Sequence, residues 1–255
     1  MSKIIVENDG PVRTIILNRP AARNALDLEG SALLHQAFLD FERDEGALVA
    51  VICGADGTFC AGADLNEMAD KGAVYSPWAG TDGPLSRPLS KPLIAAVEGH
   101  AVAGGLGIAL FCDMRVAGDT AMFGFFCRRF GVPGSDGTSV RLPRLIGPGR
   151  ALDILNTGRP VDAQEAMAIG LADRVAPTGQ ARSTAEAIAK TMAGLPQAAL
   201  LADRWSALNQ EGMSLADALG AEAQGAEHAK QTAAQDGAAV FAGGAGRSGE
   251  PTGSS

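Results

Sequence analysis

Two stretches place glycine where neither a helix nor a strand favours it, and each follows a continuous apolar run. Gly54–Leu65 (GADGTFCAGADL) comes after LVAVIC, and Glu98–Leu110 (EGHAVAGGLGIAL) comes after LIAAV. Residues without bulky side chains at the ends of buried strands let a ligand approach the backbone, and a helix that starts there leaves its first N–H groups unpaired. Two such donors aimed at one point make an oxyanion hole, which stabilises negative charge as it develops on a carbonyl oxygen. Tight strand-to-helix connections in any α/β protein share this composition, so the pair carries the signal rather than either member. No G-x-G-x-x-G opens a helix after the first strand, which disfavours a dinucleotide site.

Side chains able to move a proton are sparse around these segments. Asp136, in GVPGSDGTSV, is a candidate acid or base, and equally a good N-cap for a helix through Val140 and Leu145. Cys127 offers a thiol that attacks, or that packs or lines the bound substrate. Arg128 and Arg129 would steady an anionic group or face solvent as a pair. His100 is read as packing or bonding locally, and Glu67 and Asp70 as the solvated face of a helix. The four cysteines (Cys53, Cys60, Cys112, Cys127) show no C-x-x-C spacing, and His35, His100 and His228 are the only histidines. No metal site is expected from that inventory, and reduced thiols fit a cytosolic protein.

The elements that must position these groups follow from the hydrophobic pattern. Ile4–Val6 and Arg13–Leu17 flank Asn8-Asp9-Gly10-Pro11, a hairpin signal. Leu26, Leu33, Leu34, Ala37, Phe38 and Phe41 recur at helical spacing. Leu48–Cys53 and Leu93–Val97 are short apolar runs of the kind buried on both faces of a parallel sheet. A helix over Gly105–Cys112 and a strand over Met114–Ala117 repeat the unit. The segment from Met68 to Pro92 has prolines, glycines, Tyr75 and Trp78 without periodicity, and reads as a long loop with one helical turn. Pro148 opens a helix that Gly158 closes, and Asp162 with Glu165 and Ser183 with Glu186 have capping-box spacing around a strand at Leu171–Val175.

From about Leu195 the pattern turns helical, with Ala198, Leu201, Trp205 and Leu208 on one stripe and Leu215, Ala218 and Leu219 on the next. That change divides an α/β core, residues 1–194, from a helical region, 195–243, and a tail, 244–255, expected to be disordered. The 255 residues suffice for a core without disulfide or metal support. With a net charge of -8 and scattered basic residues, neither a nucleic-acid nor a polybasic membrane surface is expected. The opening MSKIIVENDG lacks a signal-peptide core, and the longest uncharged apolar run, Ala101–Cys112, is too short to span a bilayer. Both favour the cytoplasm.

NRPAARNALD (Asn18–Asp27), FCAGADLNEM (Phe59–Met68), KPLIAAVEGHAVAGGLGIAL (Lys91–Leu110), FGVPGSDGTSVRLPRLIG (Phe130–Gly147) and GLADRV (Gly170–Val175) together resemble the crotonase, or enoyl-CoA hydratase/isomerase, superfamily, from about residue 3 to about residue 245. The resemblance implies a spiral of ββα units followed by a helical C-terminal region that packs homotrimers, often paired into hexamers. It implies an acyl-CoA thioester as ligand, with no other cofactor, its carbonyl held between the N–H groups of Ala63 and Gly104. Ala61, Gly62, Asp64 and Leu65 would surround them, and Arg23, Asn24 and Ala25 would lie along the CoA moiety.

The hydratases of that superfamily place two glutamates at positions that match Gly107 and Cys127 here. Neither carboxylate is present, and a positioned acid or base contributes on the order of 10² to 10⁴ in rate. Gly107 is expected to leave space beside the thioester for a bulkier acyl group or a water, so that glutamates at 107 and 127 would create hydration. Asp136 is the leading substitute, as other branches, including dienoyl-CoA isomerases and 4-chlorobenzoyl-CoA dehalogenase, use an aspartate in this segment. The alternatives are an isomerase, dehalogenase or thioesterase using Asp136, or a catalytically silent acyl-CoA-binding subunit.

Overall fold

The structure, a computed structural model, describes residues 2–72, 75–78 and 83–244. β1 (Ile4–Asp9) and β2 (Val12–Leu17) pair antiparallel across Gly10, and the remaining strands are β3 (Val49–Gly54), β4 (Leu93–Val97), β5 (His100–Val102), β6 (Met114–Gly118), β7 (Met122–Gly124), β8 (Pro160–Asp162) and β9 (Arg174–Ala176). They form a six-stranded sheet in the order β1-β2-β3-β4-β6-β9, parallel beyond the first pair, and a three-stranded sheet in the order β5-β7-β8. The helices of the core are α1 (Leu28–Arg43), α2 (Leu65–Lys71), α3 (Gly104–Phe111), α4 (Thr138–Ile146), α5 (Pro148–Thr157), α6 (Ala163–Ile169) and α7 (Ala181–Ala193).

β4 is buried throughout and β3 all but its last residue, Gly54, the result of covering both faces of a parallel sheet. On one side α1 supplies Leu34, Ala37, Phe38 and Phe41, spaced to one helical face, and Phe38 meets Phe111 of α3 with ring centroids 5.6 Å apart. β2 is buried even at Arg13 and Thr14 because each has a partner: Arg13 Nη2 lies 2.6 Å from Asp44, and the Thr14 hydroxyl donates to Glu186 of α7 at 2.8 Å. β3 runs into a glycine-bearing turn at Gly54, and β4 leads through Gly99 into β5, the first strand of the smaller sheet.

Several local expectations are corrected. Leu26 is not helical; it bridges to Ala63, and α1 starts after Asp27, whose carboxylate caps Gly30 N–H at 2.7 Å. Asp162 caps α6 by accepting from Glu165 N–H, whereas Ser183 lies inside α7 and Glu186 pairs with Arg182 and Thr14. The strand expected at Leu171–Val175 is displaced to Arg174–Ala176, because Leu171 and Ala172 still bond back to Ala166 at the end of α6. The expected loop after Met68 begins only past α2, and residues 73, 74 and 79–82 lie outside those described.

The chain divides into two compact units after Ala189, within α7. The second contains α8 (Gln197–Asn209), α9 (Leu215–Ala229) and α10 (Gln235–Ala242). No residue of α8 is buried, and Trp205, Leu215, Leu219 and Phe241 are exposed. Apart from Gly244, the tail 244–255 falls outside the described residues. No described helix is long and apolar enough to cross a membrane.

Candidate active site

After β3 the chain folds back tightly: a Cβ on Gly54 would meet the Thr58 carbonyl oxygen at 1.9 Å, so only glycine fits. The returning segment is stitched on both sides. Cys60 N–H donates to His100 O, and Val102 N–H to Cys60 O; on the other flank Leu26 N–H donates to Gly62 O, and Asp64 N–H to Leu26 O. Asn24 locks this flank from beneath, accepting from Arg19 N–H and donating to the carbonyls of Ala55 and Thr58. Ala63 is thereby laid beside the start of α3. Gly62, at φ +98°, comes so near that a Cβ there would sit 2.8 Å from Gly104 N.

α3 begins at Gly104 after Ala103, a non-glycine residue held at φ +52° with its N–H donating to Gly124 O. Such a conformation costs on the order of 1–3 kcal/mol and persists only where its surroundings impose it. Ala63 and Gly104 both line one cavity of about 360 Å³, and neither N–H has a hydrogen-bond partner among the described residues. Unpaired donors at a cavity wall are a standing site for an anionic or partially anionic oxygen.

Asp136 lines the same cavity at 5% exposure and is its sole carboxylate among the described residues. It is not the N-cap of α4, a place taken by Gly137; its Oδ1 accepts from Thr138 N–H at 2.9 Å. Burial raises its pKa above the ordinary aspartate value, opposed by the Thr138 contacts and by Arg141. The space expected beside Gly107 is filled, since a Cβ on Gly107 would lie 2.7 Å from Asp136 Oδ2. A glutamate at 107 would therefore collide with Asp136 instead of entering an empty pocket, and the expected gain of hydration from glutamates at 107 and 127 does not follow.

Cys127 is half-buried on the cavity wall, its thiol pushed up to about 11 by burial and then by the charge of Asp136. It is protonated at neutral pH and not poised as a nucleophile. Its alkylation by iodoacetamide, followed by mass spectrometry, is expected to be slow at neutral pH and to accelerate as pH approaches 11. A rate already maximal at neutral pH would contradict this.

Of the other expected site residues, Arg23, Ala61 and Leu65 reach the cavity. Asn24, Ala25, Gly62 and Asp64 do not; Asp64 caps α2 and receives Arg19 at 2.8 Å. The arginine pair is not simply solvated: Arg128 and Arg129 lie over Phe125 and Phe126, and Arg129 lines the cavity and bonds Gly158 O at 2.9 Å. Glu67 is not merely a solvated residue, because it accepts from Leu28 N–H, Lys71 and Tyr75, which hold its pKa down at about 2. His100 contributes to the wall. Sequence reasoning missed Trp78, whose ring lies where a Cβ of Gly104 would be, 2.1 Å away at its nearest atom, and Ser76, which hydrogen-bonds Ser135 at the cavity wall at 2.6 Å. An indole in an otherwise proline- and glycine-rich loop was the one available signal.

Two glycine-bearing segments with unpaired backbone donors, and one buried carboxylate among the described residues, around one cavity make an enzyme-like α/β site. The family model described as enoyl-CoA hydratase/isomerase matches residues 7–243. The chain is 41% identical over 188 residues to the enoyl-CoA hydratase EchA19 of Mycobacterium tuberculosis, covering 71% of each chain. It is 37% identical to the 2,3-dehydroadipyl-CoA hydratase of Escherichia coli, covering 88% of this chain and 89% of the relative. The crystal structure of an enoyl-CoA hydratase from M. tuberculosis superposes with a TM-score of 0.88 at 32% identity, covering 94% of this chain and 95% of the other. The chain belongs to the enoyl-CoA hydratase/isomerase family and has the crotonase fold.

Proposed function

We propose that the protein binds an acyl-CoA thioester with its carbonyl oxygen between the N–H groups of Ala63 and Gly104, and that Asp136 transfers a proton at the acyl chain. The observation that carries this is the pair of N–H groups that have no partner among the described residues, at the wall of a cavity with a single carboxylate among them. Proton loss α to a thioester, or addition at the β carbon, places negative charge on the carbonyl oxygen. Fixed donors stabilise that charge, and one is worth roughly 10² to 10³ in rate. The scheme needs no metal and no cofactor beyond the CoA of the substrate. Exposed Arg23 at the cavity is suited to CoA phosphate, with Asn24 and Ala25 supporting the backbone behind it.

One carboxylate suffices to take a proton from one carbon and return it to another, which favours double-bond isomerisation. Hydration, the activity in the names of the relatives, would require Asp136 both to accept a proton from water and to deliver one to the α carbon. The exposed apolar residues of α8–α10 support the homotrimer or dimer of trimers implied by the fold, and the four free cysteines suit a cytoplasmic setting.

A panel of 2-enoyl-, 3-enoyl- and 3-hydroxyacyl-CoA thioesters tests this reading. Interconversion of the 2- and 3-enoyl forms is expected; formation of the 3-hydroxy product instead selects hydration. Binding without turnover makes the protein a silent acyl-CoA subunit, and absence of binding removes the thioester assignment.

A further inference from the structure

We infer that Gly107 is a positioning residue: the side chain it lacks is the space in which the Asp136 carboxyl group stands. This rests on Asp136 as the acid/base. A Cβ on Gly107 would lie 2.6 Å from Asp136 Cγ, 2.7 Å from Oδ2 and 2.8 Å from Cβ, and these are its three nearest neighbours. No other part of the core claims the space as closely. Glycine inside a helix costs about 1 kcal/mol relative to alanine, and α3 is buried along its whole length, so nothing in the helix itself calls for this residue.

The carboxyl group has little room to yield. Asp136 Oδ1 is held by Thr138 N–H at 2.9 Å, and its backbone carbonyl accepts from Arg141 Nη1 at 3.0 Å while Arg141 Nη2 is anchored on Leu85 O at 2.6 Å. The next residue, Gly137, is fixed at φ +84° with Arg141 Nη1 only 2.0 Å from where its Cβ would be, and a Cβ on Gly134 would meet the Phe125 ring at 2.9 Å. A methyl group at 107 therefore has to turn the carboxyl group about its side-chain bonds, away from its present place on the cavity wall. Positions 107 and 136 compete for one volume, so the site accepts a carboxylate from α3 or from the turn before α4, but not from both.

Gly107→Ala tests this with the thioester on which the wild-type protein turns over. The expected result is a fall in kcat of about 10²-fold, the scale of a reacting group misplaced by about 1 Å. KM should stay within about threefold of wild type, and the acidic limb of the kcat/KM pH profile should move, because the titrating carboxyl has changed surroundings. Wild-type kcat and an unmoved profile in Gly107→Ala, alongside loss of turnover in Asp136→Asn, would overturn the inference while leaving the assignment of Asp136 intact. Unaltered turnover in Asp136→Asn would instead remove the assignment on which the inference rests. Should Gly107→Ala fail to fold, folding of the double variant Gly107→Ala/Asp136→Gly supports the competition for volume, and its failure to fold overturns it.

Discussion

Asp136→Asn is expected to lower kcat by roughly 10² to 10⁴, the contribution of a positioned acid or base, with thioester binding largely retained. Asparagine keeps an oxygen for the Thr138 N–H and the same volume beside Gly107, so the loss reports proton transfer and not collapse of the turn. Stability is expected to change in the opposite direction. Burial raises the pKa of Asp136 in the folded protein, so the native state holds this proton more tightly than the unfolded chain. Wild-type stability therefore declines as pH rises from the ordinary aspartate value, about 4, through the higher folded value. The asparagine variant does not titrate there. Its Tm should exceed that of wild type at neutral pH, and the difference should shrink as pH falls towards about 4. Equal activity in the two proteins would exclude Asp136 from the chemistry.

Gly62→Ala is expected to lower kcat by roughly 10² to 10³, as loss of an oxyanion donor does. Its Cβ would lie 2.8 Å from Gly104 N and 2.9 Å from Ala103 Cβ, forcing apart the two segments that carry the unpaired N–H groups. The φ of +98° adds backbone strain on the order of 1–2 kcal/mol. Gly10→Ala separates these effects: Gly10 also has positive φ, at +56°, but nothing lies within 4 Å of its added methyl group. That variant should lose stability and keep its kcat. If Gly62→Ala behaves in the same way, the spacing of Ala63 and Gly104 does not govern the rate.

The large sheet was legible because its inner strands are written as unbroken apolar runs; LIAAV matches β4 residue for residue. The second sheet was not, since its strands are three residues each and too short for any period to register. Backbone donors have no side-chain signature, so Ala63 and Gly104 could be named only through the resemblance, and Asn24 and Asp64, which the same resemblance places at the ligand, hold the loops that carry the donors. Gly107 and Asp136 stood out separately in the sequence as an oddity and a candidate. That each answers the other is a fact of tertiary packing, invisible until α3 and the turn before α4 lie together.

Ala63 and Gly104 are fixed by main-chain hydrogen bonds running from Leu26 through Cys60 to His100 and Gly124, whereas Asp136 belongs to a turn outside both sheets. Under the proposed function, substitutions that relocate or delete the proton carrier thus leave the carbonyl-binding frame untouched. On that reading, a lineage built on this scaffold is free to exchange one reaction for another by altering a few side chains, while the part proposed to recognise the thioester is inherited as backbone.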